Sequence, residues 1–232
     1  MYRRRNNKLG RFYLLPKIHK RLVDVPGRPV ISNCGTPTEG LSELVDHYLQ
    51  PIVKSLPNVI RDTTDFLKRL QDLGDIPEGA ILCTMDVVGL YPHIPHLEGL
   101  SSIRKSIEDF RKNCGMDKGE GLSVDDLIDL AKIILDNNYF KFSEKVYKQK
   151  LGTAIGTKFA PAFANIFMAE LENKMLAGYH LSPSVWFRFL DDIFFIWLHD
   201  LLDELYPENQ LQPKDPIEKA KQKLFVEKQG ET

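Results

Sequence analysis

Apolar residues recur along this 232-residue chain at two different spacings, and the switches between them lay out its elements. Leu41, Leu44, Val45, Tyr48 and Leu49 fall on one face of a helix predicted over Leu41–Leu56. Similar spacing predicts helices over Thr63–Leu73, Leu97–Phe110 and Ser123–Asn137. The last opens with Ser123-Val-Asp-Asp126, a capping-box arrangement with Asp in place of Glu. Ala160–Leu176 is strongly apolar and rich in small residues, so it reads as a helix packed closely on a sheet. Phe140–Lys150 alternates like an amphipathic strand pair, and Ile81–Val87 reads as a buried strand ending near an acid. Residues 11–32 are short apolar pieces studded with cations and broken by proline, which suits strands and loops. The texture changes after His199: 200–232 is acidic, then Lys/Gln-rich, with scattered apolar residues. No internal repeat is visible. Helices and strands interleave without strict alternation, which predicts an α+β fold.

Within the apolar run Val185–Trp197, Asp191 and Asp192 stand side by side. Its flanks read as two strands with the acids at the tip of the hairpin that joins them. Two carboxylates about 4 Å apart repel by roughly 4 kcal/mol at an effective dielectric of 20, and each loses hydration on burial. A fold tolerates that when a divalent cation sits between them or when they reach solvent. Asp is also simply a good turn former.

Composition narrows the choices. Apolar content of 43% and charged content of 27% are those of an ordinary globular protein. The net charge of −1 hides an asymmetry: the first 30 residues hold nine Lys/Arg against Asp24, or +8, which leaves −9 on the rest. A basic segment on an acidic body suits an anionic partner such as a phosphate backbone, or is simply a solvated arm. Cys34, Cys83 and Cys114 form no CxxC pair, which points to reduced thiols in an intracellular compartment and no zinc site. Six histidines show no HExxH spacing; His93 and His96, on either side of Pro95, are expected in a loop. No 18-residue apolar run exists, so no membrane span is expected. Met1-Tyr-Arg-Arg-Arg5 lacks a signal peptide's apolar core and matches, weakly, a nuclear address.

Asp86 ends the apolar strand Ile81–Val87. Set beside the hairpin, it would complete three acids at one sheet edge, the donor set that two Mg²⁺ ions take up together with substrate phosphates. Four blocks of residues here resemble those of reverse transcriptases, in wording closest to Penelope-like retroelements, relatives of telomerase. Phe12-Tyr-Leu-Leu-Pro-Lys-Ile-His-Lys20 and Arg28-Pro-Val-Ile-Ser32 resemble the two fingers motifs. Met85-Asp-Val-Val-Gly-Leu-Tyr-Pro-His-Ile-Pro95 resembles the first catalytic motif. Leu151–Met168 resembles the motif packed under template and nucleotide, and Phe187-Arg-Phe-Leu-Asp-Asp-Ile-Phe194 the double-aspartate motif.

The resemblance covers about residues 11–198 and implies a right-hand polymerase palm, an antiparallel sheet packed on helices, with partial fingers. It implies an RNA-directed DNA polymerase in which Asp86, Asp191 and Asp192 hold two Mg²⁺ ions, with Mn²⁺ a possible substitute. Lys17 and Arg28 would contact the incoming dNTP triphosphate, and Tyr91 would be a steric gate against a ribose 2′-hydroxyl. Gly152 and Gly156 would allow close approach to the template–primer. Gly152–Lys158 looks faintly like a P-loop, but it is one residue short and has Thr before the lysine, which excludes that reading. The partners implied are an RNA or DNA template with its primer, in the nucleus.

The expected organisation is a basic arm and fingers elements over 1–75, a palm over 76–199 with a helical insertion at about 97–140, and a non-polymerase tail over 200–232. The family's thumb and GIY-YIG endonuclease are not recognisable, which suggests a truncated chain of weak activity. Leu201–Lys223 resembles an internal stretch of omega-class glutathione transferases without their cysteine. Two competing functions follow: an inert nucleic-acid-binding remnant, or, less well supported, a glutathione-dependent transferase.

Overall fold

The computed structural model describes residues 8–18, 23–115, 121–178 and 183–197. The arginines at 3–5 and the tail at 200–232, with its glutathione-transferase resemblance, lie outside the described residues.

The fold is α+β. Its elements run β1 (Gly10–Pro16), β2 (Gly27–Ser32), α1 (Glu39–Ser55), α2 (Thr63–Asp72), β3 (Ile81–Asp86), α3 (Leu90–His93), α4 (His96–Cys114), α5 (Val124–Asp136), β4 (Tyr139–Phe142), β5 (Lys145–Lys148), α6 (Ala160–Gly178), β6 (Val185–Phe189) and β7 (Asp192–Trp197). The described strands form two sheets, one ordered β2-β1-β4-β5 and one ordered β3-β7-β6. The first joins the N-terminal hairpin to the β4–β5 hairpin by a parallel β1–β4 pairing. The second is antiparallel throughout.

Both periodicities produce the elements they predict. Val45 and Leu49 of α1, Ile103 of α4, Leu127 of α5, and Phe163 and Ile166 of α6 meet in one core. Ser123 caps α5 in the expected box: its hydroxyl accepts from the Asp126 N–H, and the Asp126 carboxylate accepts from the Ser123 N–H. Gly99 lets α4 lie against α6, because a methyl there would run into the Phe163 ring.

β3 departs from expectation. It is the edge strand of its sheet and is mostly exposed rather than buried, with Leu82 at 60%. Its apolar run reflects one partnered edge, not two covered faces. His93 and His96 also depart, standing at the end of α3 and the start of α4, where each ring bonds a backbone carbonyl.

α2 braces the second sheet. Phe66 sets its ring edge against Phe194 and Phe187, at 5.4 and 6.3 Å between centroids. Asp62 caps the helix by accepting from the Asp65 N–H at 2.8 Å. Asp65 in turn accepts from the Arg61 N–H at 3.0 Å and pairs with the Arg61 and Arg69 guanidinia at 3.4 and 3.3 Å. Arg69 spans to the Pro57 and Val59 carbonyls. Led by the Arg61 backbone bond, these partners hold the Asp65 carboxyl down at about 2.

A carboxyl whose folded value lies below its unfolded value of about 3.9 stabilises the fold above that pH and stops doing so as pH falls toward 2. Acid unfolding followed by circular dichroism should therefore lose part of its slope between about pH 4 and 2 in Asp65→Asn. An unchanged slope would remove Asp65 from the account of α2.

Candidate active site at the double-aspartate hairpin

Residues 185–197 form the hairpin that alternation predicts. β6 and β7 pair with Val185 opposite Ile196 and Phe189 opposite Asp192, leaving Leu190 and Asp191 as the turn. Leu190 adopts φ +56°, the left-handed conformation such a turn demands and one that a bulky residue rarely enters. β3 runs along the other side of β7 with Ile81 opposite Trp197 and Asp86 opposite Asp192. The Val87 N–H donates to the Asp191 carbonyl at 2.9 Å, which extends the ladder to the tip. Directly opposed Cα atoms in an antiparallel pair lie about 4.5–5.5 Å apart with side chains on the same face. Asp86 and Asp192, 106 positions apart in sequence, thus become neighbours.

The electrostatics agree with that crowding. Partial burial, then the charges of Asp191 and Asp86, push the Asp192 carboxyl above the usual carboxylate range. Burial, then the Asp191 charge, raises the Tyr91 phenol. Asp86, Asp191, Asp192 and Tyr91 therefore share one field.

Gly152 and Gly156 sit on a loop that fixes Tyr91, and their close approaches are to the chain's own backbone. At Gly152, φ +68°, a methyl would strike the Tyr91 carbonyl and Pro92. The Gly152 N–H donates to the Ile94 carbonyl and the Thr153 N–H to the Tyr91 carbonyl, at 3.0 and 2.8 Å. The His96 ring bonds the Gly152 carbonyl at 2.8 Å. Gly156 bridges to Ser32, where a methyl would strike the Ile31 carbonyl. Asn33 donates to the Thr157 hydroxyl at 2.7 Å. One loop thus joins the end of β2 to α3 and the start of α4. Lys17 and Arg28 belong to the other sheet: Arg28 is exposed opposite Leu15, and Lys17 follows β1, its N–H donating to the Pro26 carbonyl.

Clefts flank the hairpin. One, of about 770 Å³, is lined by Phe66, Thr84, Asp86, Val88, Asp192 and Phe194. Another, of about 720 Å³, brings Lys54, Arg61 and Arg69 toward Asn165, Phe189 and Leu190.

The residue that sequence reasoning passed over is Arg188. It is 0% exposed and paired at 2.6 Å with Glu172 of α6, itself 2% exposed. Trp186 donates its indole N–H to the same carboxylate oxygen at 2.9 Å. The other guanidinium nitrogens donate to the Asn165 side chain at 2.7 Å, the Asn165 carbonyl at 3.1 Å and the Leu190 carbonyl at 3.3 Å. The Arg188 backbone bonds Asn58 and Ile60 on the outer edge of β6. Arg188 therefore ties helix, sheet edge and turn together three residues before Asp191. The signal was present: strand alternation puts Arg188 on the inward face with Trp186, against an apolar helix interrupted by Glu172.

Among the described residues, no three His, Cys, Asp or Glu side chains are grouped so that together they could hold a metal ion. The donor chemistry nevertheless fits Mg²⁺, which takes one or two carboxylates and fills its octahedron with water or phosphate. Burial first, and then the charges of Asp191 and Asp86, raise the Asp192 carboxyl, and a cation would relieve the second of these effects.

No family model and no curated protein matches the chain. Solved structures do share its fold. Apo telomerase from Candida Tropicalis superposes with a TM-score of 0.60 at 12% identity, over 90% of this chain and 42% of that one. A form of it truncated from the C-terminal domain gives 0.58 at 14%, over 85% and 45%. Telomerase from Candida albicans, in complex with the TWJ fragment of telomeric RNA, gives 0.60 at 11%, over 89% and 41%. The chain thus spans less than half the length of each.

Arg188→Met leaves Glu172 buried without its partner and should cost about 3–5 kcal/mol in denaturant unfolding. Adding Glu172→Leu should restore part of the loss, and a single variant within about 1 kcal/mol of wild type would contradict the pinning role. Asp192→Asn removes a like charge, so in EDTA it should unfold no earlier than wild type and up to about 2 °C later. A clearly lower transition temperature would mean that the three acids do not repel.

Proposed function

We propose that this chain is the palm-and-fingers region of a reverse transcriptase, transferring nucleotides from dNTP to a primer 3′-hydroxyl on an RNA or DNA template. The supporting observation is the β3–β7 ladder that sets Asp86 against Asp192, with Asp191 at the turn, in a chain with the fold of telomerase. On this reading Asp86 and Asp191 hold the cations and Asp192 supports charge and geometry beside them. Two bound Mg²⁺ ions would lower the pKa of the primer hydroxyl and neutralise the leaving pyrophosphate. Tyr91 closes the sugar side of the nucleotide pocket, its carbonyl fixed by Thr153. Lys17 meets the triphosphate as a point charge and Arg28 as a bidentate fork.

The same reading divides the chain into arm and fingers over 1–75, palm over 76–199 and a separate tail over 200–232. The motif wording favours a Penelope-like retroelement acting in the nucleus. Among the described residues, no helix is long and apolar enough to cross a membrane.

A second reading, a nucleic-acid-binding remnant without catalysis, is favoured by the absence of a complete carboxylate cage among the described residues. Mg²⁺-dependent incorporation of labelled dNTP on a primed RNA template separates the two. The polymerase reading expects incorporation that falls by about 10²-fold or more in Asp191→Asn, as when a group stabilising transition-state charge is lost. Template binding with no incorporation by wild type, or equal incorporation by both, would overturn it.

A further inference from the structure

α3 is a single turn of four residues with Pro92 inside it, entered through Gly89 at φ +66° and left through an extended Ile94. So short a turn does not hold itself in water, and its surroundings decide how firmly Tyr91 stands. The loop after β5 clamps it through the main chain. The Thr153 N–H donates to the Tyr91 carbonyl at 2.8 Å, and the Gly152 N–H to the Ile94 carbonyl at 3.0 Å. Both bonds depend on the loop keeping its path, which takes Gly152 through φ +68°.

A side chain fastens that path. His96 Nε2 lies 2.8 Å from the Gly152 carbonyl. A carbonyl only accepts, so this ring nitrogen carries the proton and donates it. His96 opens α4, whose Gly99, Ile103 and Ile107 are buried in the core, so the ring is anchored on a well-packed helix. The Gly152 residue is therefore gripped at its N–H by Ile94 and at its carbonyl by His96, two positions further on. Thr153, itself buried, carries the constraint to Tyr91. His96 supplies the clamp with a side chain, the part that substitution can remove.

Tyr91 packs on the core while its phenol feels the Asp191 charge, so the ring stands beside the acids. On the polymerase reading it borders the sugar of the nucleotide. A ring excludes an extra hydroxyl only as far as it refuses to retreat, whereas a deoxyribose fits whether the ring is stiff or loose. Loosening the clamp therefore changes the use of ribonucleotides more than that of deoxyribonucleotides.

We propose that His96 is a positioning residue that sets discrimination between dNTP and rNTP, by fastening Gly152 and, through Thr153, the backbone of Tyr91. It acts through Tyr91 and not on the reacting atoms. This role rests on the polymerase reading and adds to it the part that keeps the gate still.

The test is single-nucleotide extension on a primed RNA template by the full chain, with kcat/KM measured for a dNTP and for the matching rNTP. His96→Leu should lower the dNTP/rNTP ratio about fivefold, the effect of one lost hydrogen bond, by admitting the rNTP. A merely structural loss would lower both values together. The Gln side-chain amide nitrogen stands as many bonds from Cβ as the imidazole Nε2 and also donates, so His96→Gln should regain most of the ratio. Tyr91→Ala should lower the ratio by itself, and adding His96→Leu to it should lower it no further, since the two residues act as a unit. Hydrogen–deuterium exchange needs no activity, and in His96→Leu it should quicken over 150–155 and 89–95. Circular dichroism melts confirm that each variant is folded. An active wild type whose ratio is unmoved in folded His96→Leu would overturn this proposal alone, as would both values falling equally or exchange left unchanged. A wild type that uses dNTP and rNTP equally well has no gate to hold and would overturn it too. A wild type that incorporates neither would overturn the polymerase reading, and this role with it.

Discussion

Asp86 and Asp192 face each other across β3 and β7, with Asp191 beside them, and three like charges so placed push apart. The hairpin keeps its place because its other end is fastened harder. Arg188 is buried three residues before the tandem acids and gives its donors to Glu172, Asn165 and the Leu190 carbonyl. A guanidinium in that position cannot move without stranding a buried carboxylate, which costs more than surface repulsion between acids at the edge. Phe66 presses on the opposite face, and the Asn58–Ile60 backbone closes the free edge of β6. Repulsion is thus confined to a site that solvent or a cation can reach.

The loop 152–157 extends that constraint to the rest of the molecule. It touches Tyr91 and Ile94 on one side and Ile31, Ser32 and Asn33 on the other. At Gly152 and Gly156 themselves the close approach is to backbone, which explains why neither bears a side chain. The first sheet is thereby held against α3, which begins four residues after Asp86. The α1, α4, α5 and α6 core supplies the rigidity beneath.

Much of this was legible in the sequence. Alternation over 185–197 and the acids that interrupt it gave the hairpin and its turn; capping chemistry at Ser123 gave the start of α5. What stayed hidden was long-range. Nothing local distinguishes Ile81–Asp86, an exposed edge strand, from a buried central one, since both are short apolar runs. The parallel pairing of β1 with β4 joins segments more than a hundred residues apart and leaves no local trace. The short α3, whose Pro92 suits a turn equally well, was missed for the same reason. Arg188 leaves a local signal, since strand alternation turns it inward with Trp186. The close backbone neighbours of Gly152 and Gly156 within the chain itself left no local trace.

The central claim is that acids distant in sequence converge to hold cations. Anomalous diffraction from crystals of the chain soaked in Mn²⁺ tests it most directly. The account predicts density within about 2.2 Å of carboxylate oxygens of both Asp86 and Asp191. Mn²⁺ bound elsewhere, with these two carboxylates turned apart and bare, would contradict it.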